Sequence, residues 1–230
     1  MSSVEQTTQL SINIQKISLL INFIGLSFTI PLPEQHLIIK DLLLIETLVQ
    51  IIELAFYLIF LKNLSKNVIG MSKTRYYDWF ITTPSMLLSS IIYFEYLYRI
   101  ESNTSSFRFQ DFVSLPDNQK NISFIFTANF LMLFFGYLYE IHVIDKKTAT
   151  FFGYVFFLIT FQFIYEKYAQ KSKQGKQLFA VLFIIWAIYG IAFQLPDIEK
   201  NNITNFLDLF AKNFFGIFLV YQAVNLSRQS

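Results

Sequence analysis

The residue with the most demanding chemistry in this chain is Lys212. It stands in the middle of an otherwise apolar run, NFLDLFAKNFFGIFLVY, from Asn205 to Tyr221. A charge at the centre of a bilayer costs about 3 kcal/mol or more, so such a lysine has to face the protein interior and find a partner there. Asp208, one helical turn earlier on the same face, offers a carboxylate. Two readings are open at this point: a structural ion pair, or a buried amine whose neighbouring carboxylate can hold the proton of a Schiff base.

Three further sets of polar residues lie in apolar surroundings. In RYYDWFITTPSMLLSSIIYFEYLY, Arg75 and Asp78 are three apart, Thr82 is four beyond, and Ser89 is eleven past Asp78, so all four share one helical face. Pro84 removes a backbone hydrogen bond in mid-helix, and the hydroxyls of Thr82 and Thr83 are expected to compensate. Glu95 falls near one end and is expected to be solvated. In DLLLIETLVQIIELAFYLIF, Glu46 and Glu53 are seven apart with Gln50 between them, an arrangement that suits a wet path for cations or protons better than one satisfied buried acid. Ahead of these, Ser11, Asn13, Gln15, Lys16, Ser18 and Asn22 give the first apolar segment a polar stripe, which reads as hydrogen-bond glue between helices. Lys16 is expected to snorkel.

The elements that carry these residues follow from composition. Of 230 residues, 54% are hydrophobic and only 15% charged, and 28 Phe and 13 Tyr suit packing and interfacial belts. This is the pattern of an integral membrane protein. Seven apolar spans are expected at about 10–31, 41–62, 76–98, 121–140, 149–168, 177–195 and 203–226, each long enough to cross about 30 Å of hydrocarbon. They form one all-α domain over residues 1–230, a seven-helix bundle in the lipid bilayer. The start, MSSVEQTTQL, has no basic region before its apolar run, so no cleaved signal peptide is expected.

With the N-terminus outside, the cytoplasmic segments hold Lys40, Arg99, Arg108, Lys120, Lys167, Lys171, Lys173, Lys176 and Arg228. They outnumber the outer set of Lys62, Lys66, Lys73, Lys146, Lys147 and Lys200. The positive-inside rule therefore places the C-terminus in the cytoplasm. The absence of cysteine removes disulfide, iron–sulfur and thiol chemistry. His36 and His142 both fall between spans, so no buried metal site is expected. A net charge of +2 gives no indication of nucleic acid binding, and no enzyme motif is evident.

At the level of motifs the chain resembles the microbial rhodopsins. Their third helix carries Arg-Tyr-x-Asp-Trp-x-x-Thr-Thr-Pro, matched here by Arg75, Tyr76, Asp78, Trp79, Thr82, Thr83 and Pro84. Asp208 and Lys212 match Asp-x-x-x-Lys on the seventh, and Trp186 and Tyr189 match Trp-x-x-Tyr on the sixth. A softer match on the fourth offers Asn129, Met132 and Gly136. The resemblance implies all-trans retinal bound covalently to Lys212 as a protonated Schiff base. It also implies a two-carboxylate counterion of Asp78 and Asp208, with Arg75 beneath and Thr82 beside the proton acceptor Asp78. The implied pocket is Trp79, Thr83, Met132, Gly136, Trp186, Tyr189 and Phe193.

The chain departs from that pattern at Ser89, where outward proton pumps usually have a carboxylate. It departs again at Gly190, where proline is common, and at Phe193, which replaces a second tryptophan. The remaining features resemble channelrhodopsins and the rhodopsins of large algal viruses. By that resemblance Glu53, Asn213 and Ser18 form a central gate, and Glu46 a second constriction toward the cytoplasm. A Thr83–Asn129 bond would couple the third and fourth helices. The function expected first is a light-gated cation channel, protons included, with an outward proton pump as the alternative and a sensory photoreceptor as the third reading. Assembly is expected as a homo-oligomer, in the plasma membrane or another cellular membrane of an infected host.

Overall fold

The architecture is set by which side of each helix is apolar. On the first helix Thr8, Ser11, Gln15, Ser18 and Asn22 are buried, while Ile17, Leu20 and Ile24 are more than half exposed. An inside-out distribution of this kind suits a helix surrounded by lipid, whose polar groups can be satisfied only inward. In a computed structural model, which describes residues 2–64 and 69–228, the long helices are α1 (Ser3–Phe28), α2 (Ile38–Leu64), α3 (Ile69–Glu101), α4 (Pro116–Glu140), α5 (Lys146–Lys167), α6 (Lys173–Ala192) and α7 (Asp197–Ser227). Lys66, counted above among the outer charges, lies outside the described residues.

Six of these helices are long and apolar enough to cross a membrane by themselves. The exception is α3, which carries Arg75, Asp78, Glu95 and Arg99. It packs against α2 on one side and α4 on the other, and Arg75 and Asp78 point into the bundle. Neighbours in sequence are neighbours in space, and α1 closes the ring against both α2 and α7. The chain thus forms a seven-helix bundle embedded in the bilayer.

Local chemistry marks the helix ends. Ser2 and Ser172 accept hydrogen bonds from Glu5 N–H at 3.2 Å and Gly175 N–H at 2.8 Å. Asp145 accepts from Lys147 and Thr148 N–H at 2.9 and 3.0 Å. Each such cap stabilises its helix by about 1 kcal/mol. Pro116 opens α4, where its missing N–H costs nothing. The helices differ from the expected spans mainly at their ends. α3 starts at Ile69 and α7 at Asp197, each adding a polar turn that apolar composition does not mark. α6 ends at Ala192, so Phe193 lies just beyond it.

Pro84 stays inside α3. The Thr82 and Thr83 hydroxyls donate to the carbonyls of Asp78 and Trp79, at 3.0 and 2.7 Å. Neither reaches the carbonyl of Phe80, which is the one deprived of its donor by the proline. Each hydroxyl is bound to its own preceding turn, so the compensation expected from the sequence is not made at that carbonyl. Glu95 is ion-paired rather than merely solvated, to Arg99 at 3.0 Å and Lys171 at 3.3 Å.

Two apolar clusters sandwich a polar middle. The larger lies toward the cytoplasmic end and includes Ile39, Leu42, Leu43, Leu87, Ile91, Phe161 and Leu219. The smaller, at the other end, gathers Val4, Ile12, Tyr57, Phe60 and Met71. Within the larger cluster α1 and α7 touch closely at Gly25, where a Cβ would come within 2.8 Å of Val220 Cγ1. Gly25→Leu is therefore expected to lower stability by about 1–3 kcal/mol through overpacking. Thermal unfolding followed by circular dichroism measures this, and an unchanged midpoint would show that α1 and α7 can separate freely.

Candidate functional site

The site begins with a break in helical register. Between Leu209 and Asn213 α7 winds as a π-helix, and Phe214 N–H donates to the Leu209 carbonyl five residues back. Consecutive residues on an ordinary helix point about 100° apart, and only one of them can face a given neighbour. The wider turn buries Lys212 and Asn213 together, each 1% exposed, with Asp208 and Leu209 one turn before.

Lys212 Nζ donates to Asp78 Oδ2 at 2.7 Å. Glu53 Oε1 lies at 3.7 Å and Asp208 Oδ1 at 3.8 Å. Three carboxylates from α2, α3 and α7 thus surround one buried amine. They are held differently. Asp208 accepts from Tyr57 Oη at 2.7 Å, Tyr189 Oη at 2.8 Å and Arg75 Nη1 at 3.1 Å. Asp78 Oδ1 and Glu53 Oε1 have no hydrogen-bond partner among the described residues. Glu53 Oε2 accepts from Asn213 Nδ2 at 3.3 Å.

Toward the N-terminal side, Arg75 ties three helices together. Its guanidinium donates to Tyr57 at 3.2 Å, Asn201 at 3.2 Å and Asn205, and lies over the rings of Tyr57 and Phe60. Asn205 in turn donates to Thr7 and Thr8 on α1 at 2.8 and 3.1 Å. Toward the cytoplasmic side, Gln50 accepts from Ser18 Oγ at 3.1 Å and donates to the Lys212 carbonyl at 3.4 Å. Further along, Ser89 donates to Glu46 Oε1.

Beside Lys212 a cavity of about 150 Å³ runs between α3, α4, α5, α6 and α7. That is several times the room one water needs. Trp79, Met132, Leu133, Phe157, Trp186 and Tyr189 wall it, and Trp79 meets Tyr189 edge to face at 5.8 Å. Gly136 lets the Tyr76 phenol lie against α4, where a Cβ would collide with it. Asn129 Nδ2 donates to Thr83 Oγ1 at 2.8 Å, pinning α4 to α3 at the cavity wall. A slot of this shape, apolar along its length and closed by a buried amine, fits an elongated apolar aldehyde.

A family model described as bacteriorhodopsin-like protein matches residues 8–226. The chain belongs to the bacteriorhodopsin-like family. Among solved structures, this bacteriorhodopsin-like protein is similar to the viral rhodopsin OLPVRII, with 26% identity, a TM-score of 0.80 and coverage of 98% of this chain and 99% of that one. Blue light-absorbing proteorhodopsin from Med12 is 20% identical with a TM-score of 0.74, and each chain is covered in full. Acetabularia rhodopsin I is 16% identical with a TM-score of 0.75, over 100% of this chain and 97% of that one. No curated protein matches the sequence.

In this bacteriorhodopsin-like protein the residues singled out from sequence converge, with two corrections. Lys212 bonds Asp78 directly and keeps an ion pair to Asp208, which is also engaged by two phenols and a guanidinium. Glu53 belongs with the amine as well as with Asn213, so the lysine faces three carboxylates and not two. Ser18 bonds Gln50 and not Glu53, since Gln50, one turn toward the cytoplasm on α2, stands between them. Thr82 is 0% exposed and its hydroxyl is spent on the Asp78 carbonyl. Phe193 lines the far end of the cavity, against Tyr139.

Sequence reasoning missed Tyr57, Asn201 and Asn205. Tyr57 follows Glu53 by four residues and Asn205 precedes Lys212 by seven, so face-sharing alone could have drawn in both. Arg75→Ala is expected to destabilise the protein by about 3–5 kcal/mol, because Asp208 would stay buried without its cation. Tyr57→Phe should cost about 1–3 kcal/mol through the lost donor. Thermal midpoints of the purified variants check both, and equal losses would show that the charge carries no special weight.

Proposed function

We propose that this protein is a light-gated cation channel whose chromophore is all-trans retinal, bound to Lys212 as a protonated Schiff base. When bound, the retinal supplies absorption of visible light and, on isomerising, a displacement of positive charge. Lys212 holds it covalently. Trp79, Thr83, Met132, Gly136, Trp186, Tyr189 and Phe193 enclose it. Asp78 supplies the negative charge that keeps the nitrogen protonated and is placed to accept that proton, with Thr82 packed on the same face. Tyr57, Tyr189 and Arg75 all hold Asp208 in place, which leaves Asp78 and Glu53 as the carboxylates free to change partners.

The observation that carries the channel reading is Glu53. It lies 3.7 Å from Lys212 Nζ and also holds Asn213, so a change of charge at the lysine acts directly on a contact between α2 and α7. Coulomb attraction at that distance in a buried site is several times what it is in water. Weakening it releases Asn213. Gln50 and Ser18 extend the polar contacts to α1, and Glu46 with Ser89 lies further toward the cytoplasm. The likeness to a viral rhodopsin supports placing the protein in a cellular membrane of an infected host, where the whole chain acts as one retinal-binding unit.

The second reading, an outward proton pump, is favoured by the Ser89–Glu46 bond, which supplies on α2 the cytoplasmic carboxyl that α3 lacks. Voltage clamp of cells given retinal separates the two. A photocurrent that reverses with holding potential and follows the cation gradient supports the channel; one that stays outward at every voltage establishes the pump. In the same cells Lys212→Ala is expected to abolish visible absorbance and photocurrent together. Asp78→Asn is expected to shift the absorption band by removing the negative charge nearest Lys212. Visible absorbance retained in Lys212→Ala would place the chromophore elsewhere.

A further inference from the structure

Around the lysine and on toward the Glu46–Ser89 pair, α1 and α2 present a group of buried amides to α7. Gln15 and Asn22 on α1 and Gln50 on α2 are all 0% exposed, and Ser18 between them is 1% exposed. Neither amide atom of Gln15 nor of Asn22 has a hydrogen-bond partner among the described residues. Burying an amide without a partner costs about 1–3 kcal/mol on the scale of protein mutations, so two such side chains on one face of one helix are expensive structural filler.

The facing surface of α7 is shaped to admit them. At Gly216, one turn past Lys212, a Cβ would fall 2.5 Å from Gln50 Nε2 and 2.7 Å from Asn22 Nδ2. Only glycine lets both amides reach the α7 backbone at that level. The three helices therefore meet in neutral groups at Gly216: the Asn22 and Gln50 amides pressed on it and the Ser18 hydroxyl on Gln50, with Gln15 lying one turn further out. The Glu53 and Glu46 carboxyl groups bracket these, each with one oxygen, Glu53 Oε1 and Glu46 Oε2, that has no hydrogen-bond partner among the described residues.

We infer that Asn22 and Gln50, with Ser18 beside them and Gly216 as the opposing wall, form a neutral amide collar through which the transported cation passes. The inference rests on the channel reading and assigns its selectivity to these residues. Amide and hydroxyl oxygens can replace part of the hydration shell of a monovalent cation. They carry no charge to offset the far larger dehydration cost of a divalent ion, which takes carboxylate-rich sites. The collar thus favours monovalent over divalent cations.

The test uses the full-length protein, with retinal, under voltage clamp, with sodium on one side and either potassium or calcium on the other. Wild type is expected to show reversing currents with calcium permeability several-fold below that of sodium. Asn22→Asp is expected to raise relative calcium permeability several-fold. Gly216→Ala should cut the current several-fold by pushing the amides into the path, and both variants should keep the wild-type absorption maximum. Where Gly216→Ala fails to form pigment, Asn22→Ala serves in its place, with altered sodium–potassium selectivity as the expected result. Wild-type reversal potentials and current amplitudes in pigmented Asn22→Asp and Asn22→Ala would overturn the collar while leaving the channel standing. A wild-type photocurrent that never reverses overturns the channel and the collar with it.

Discussion

Everything in the bundle answers to one constraint: a positive charge on Lys212, 1% exposed, has to be compensated where water cannot do it. An uncompensated charge there would cost more than a typical fold has to spare. The response is layered. Asp78 takes the direct hydrogen bond, Glu53 and Asp208 stand just beyond it, and Arg75 with two tyrosines holds Asp208 in position. Each of these groups comes from a different helix from at least one of its partners, so satisfying the lysine also fixes how α2, α3, α6 and α7 sit against one another. The polar centre is what orders the helices, because apolar contacts between them are no better than contacts with lipid.

The bundle was legible in the sequence because membrane helices carry their signal in bulk hydropathy. All seven expected spans have a helix in the structure, and the motif residues on α3, α6 and α7 meet around the lysine. What hydropathy could not mark were the polar outer turns of α3 and α7, where Ser72, Arg75, Asn201 and Asn205 make their bonds. The π turn was also hidden. It arises from backbone hydrogen bonding within LFAKN, a segment whose side chains do not distinguish five-residue from four-residue winding. That turn brings Lys212 and Asn213 inward together, so the lysine keeps the pairing with Asp208 that regular spacing gives and meets Asp78 and Glu53 as well. Ser18 was misassigned because the sequence places it on the inner face but does not set its depth against α2.

The two ends of the molecule are built unlike each other. Toward the outside, Arg75, Asn201, Asn205, Thr7 and Thr8 form a continuous hydrogen-bonded lattice that reaches from α3 to α1. Toward the cytoplasm, polar contacts are sparse: Ser18 with Gln50, which also reaches the Lys212 carbonyl, and Ser89 with Glu46, with the Asn22 amide unpartnered among the described residues. A lattice resists rearrangement because every bond is supported by the next; isolated pairs exchange partners one at a time. The half of the bundle free to reorganise after light absorption is therefore the cytoplasmic half, and Glu53 with Asn213 sits on the boundary between the two.

The close contact of Gly25 with Val220, together with Leu42, Leu43 and Leu219, has an electrical consequence. A membrane potential falls mainly across whatever part of a path is dry, since water and mobile ions flatten the field elsewhere. The band is therefore part of the dry stretch of the bundle across which the voltage falls. A unit charge moved across the whole potential gains or loses about 2.3 kcal/mol for each 100 mV. Any charge that shifts within this stretch thus feels the resting potential directly.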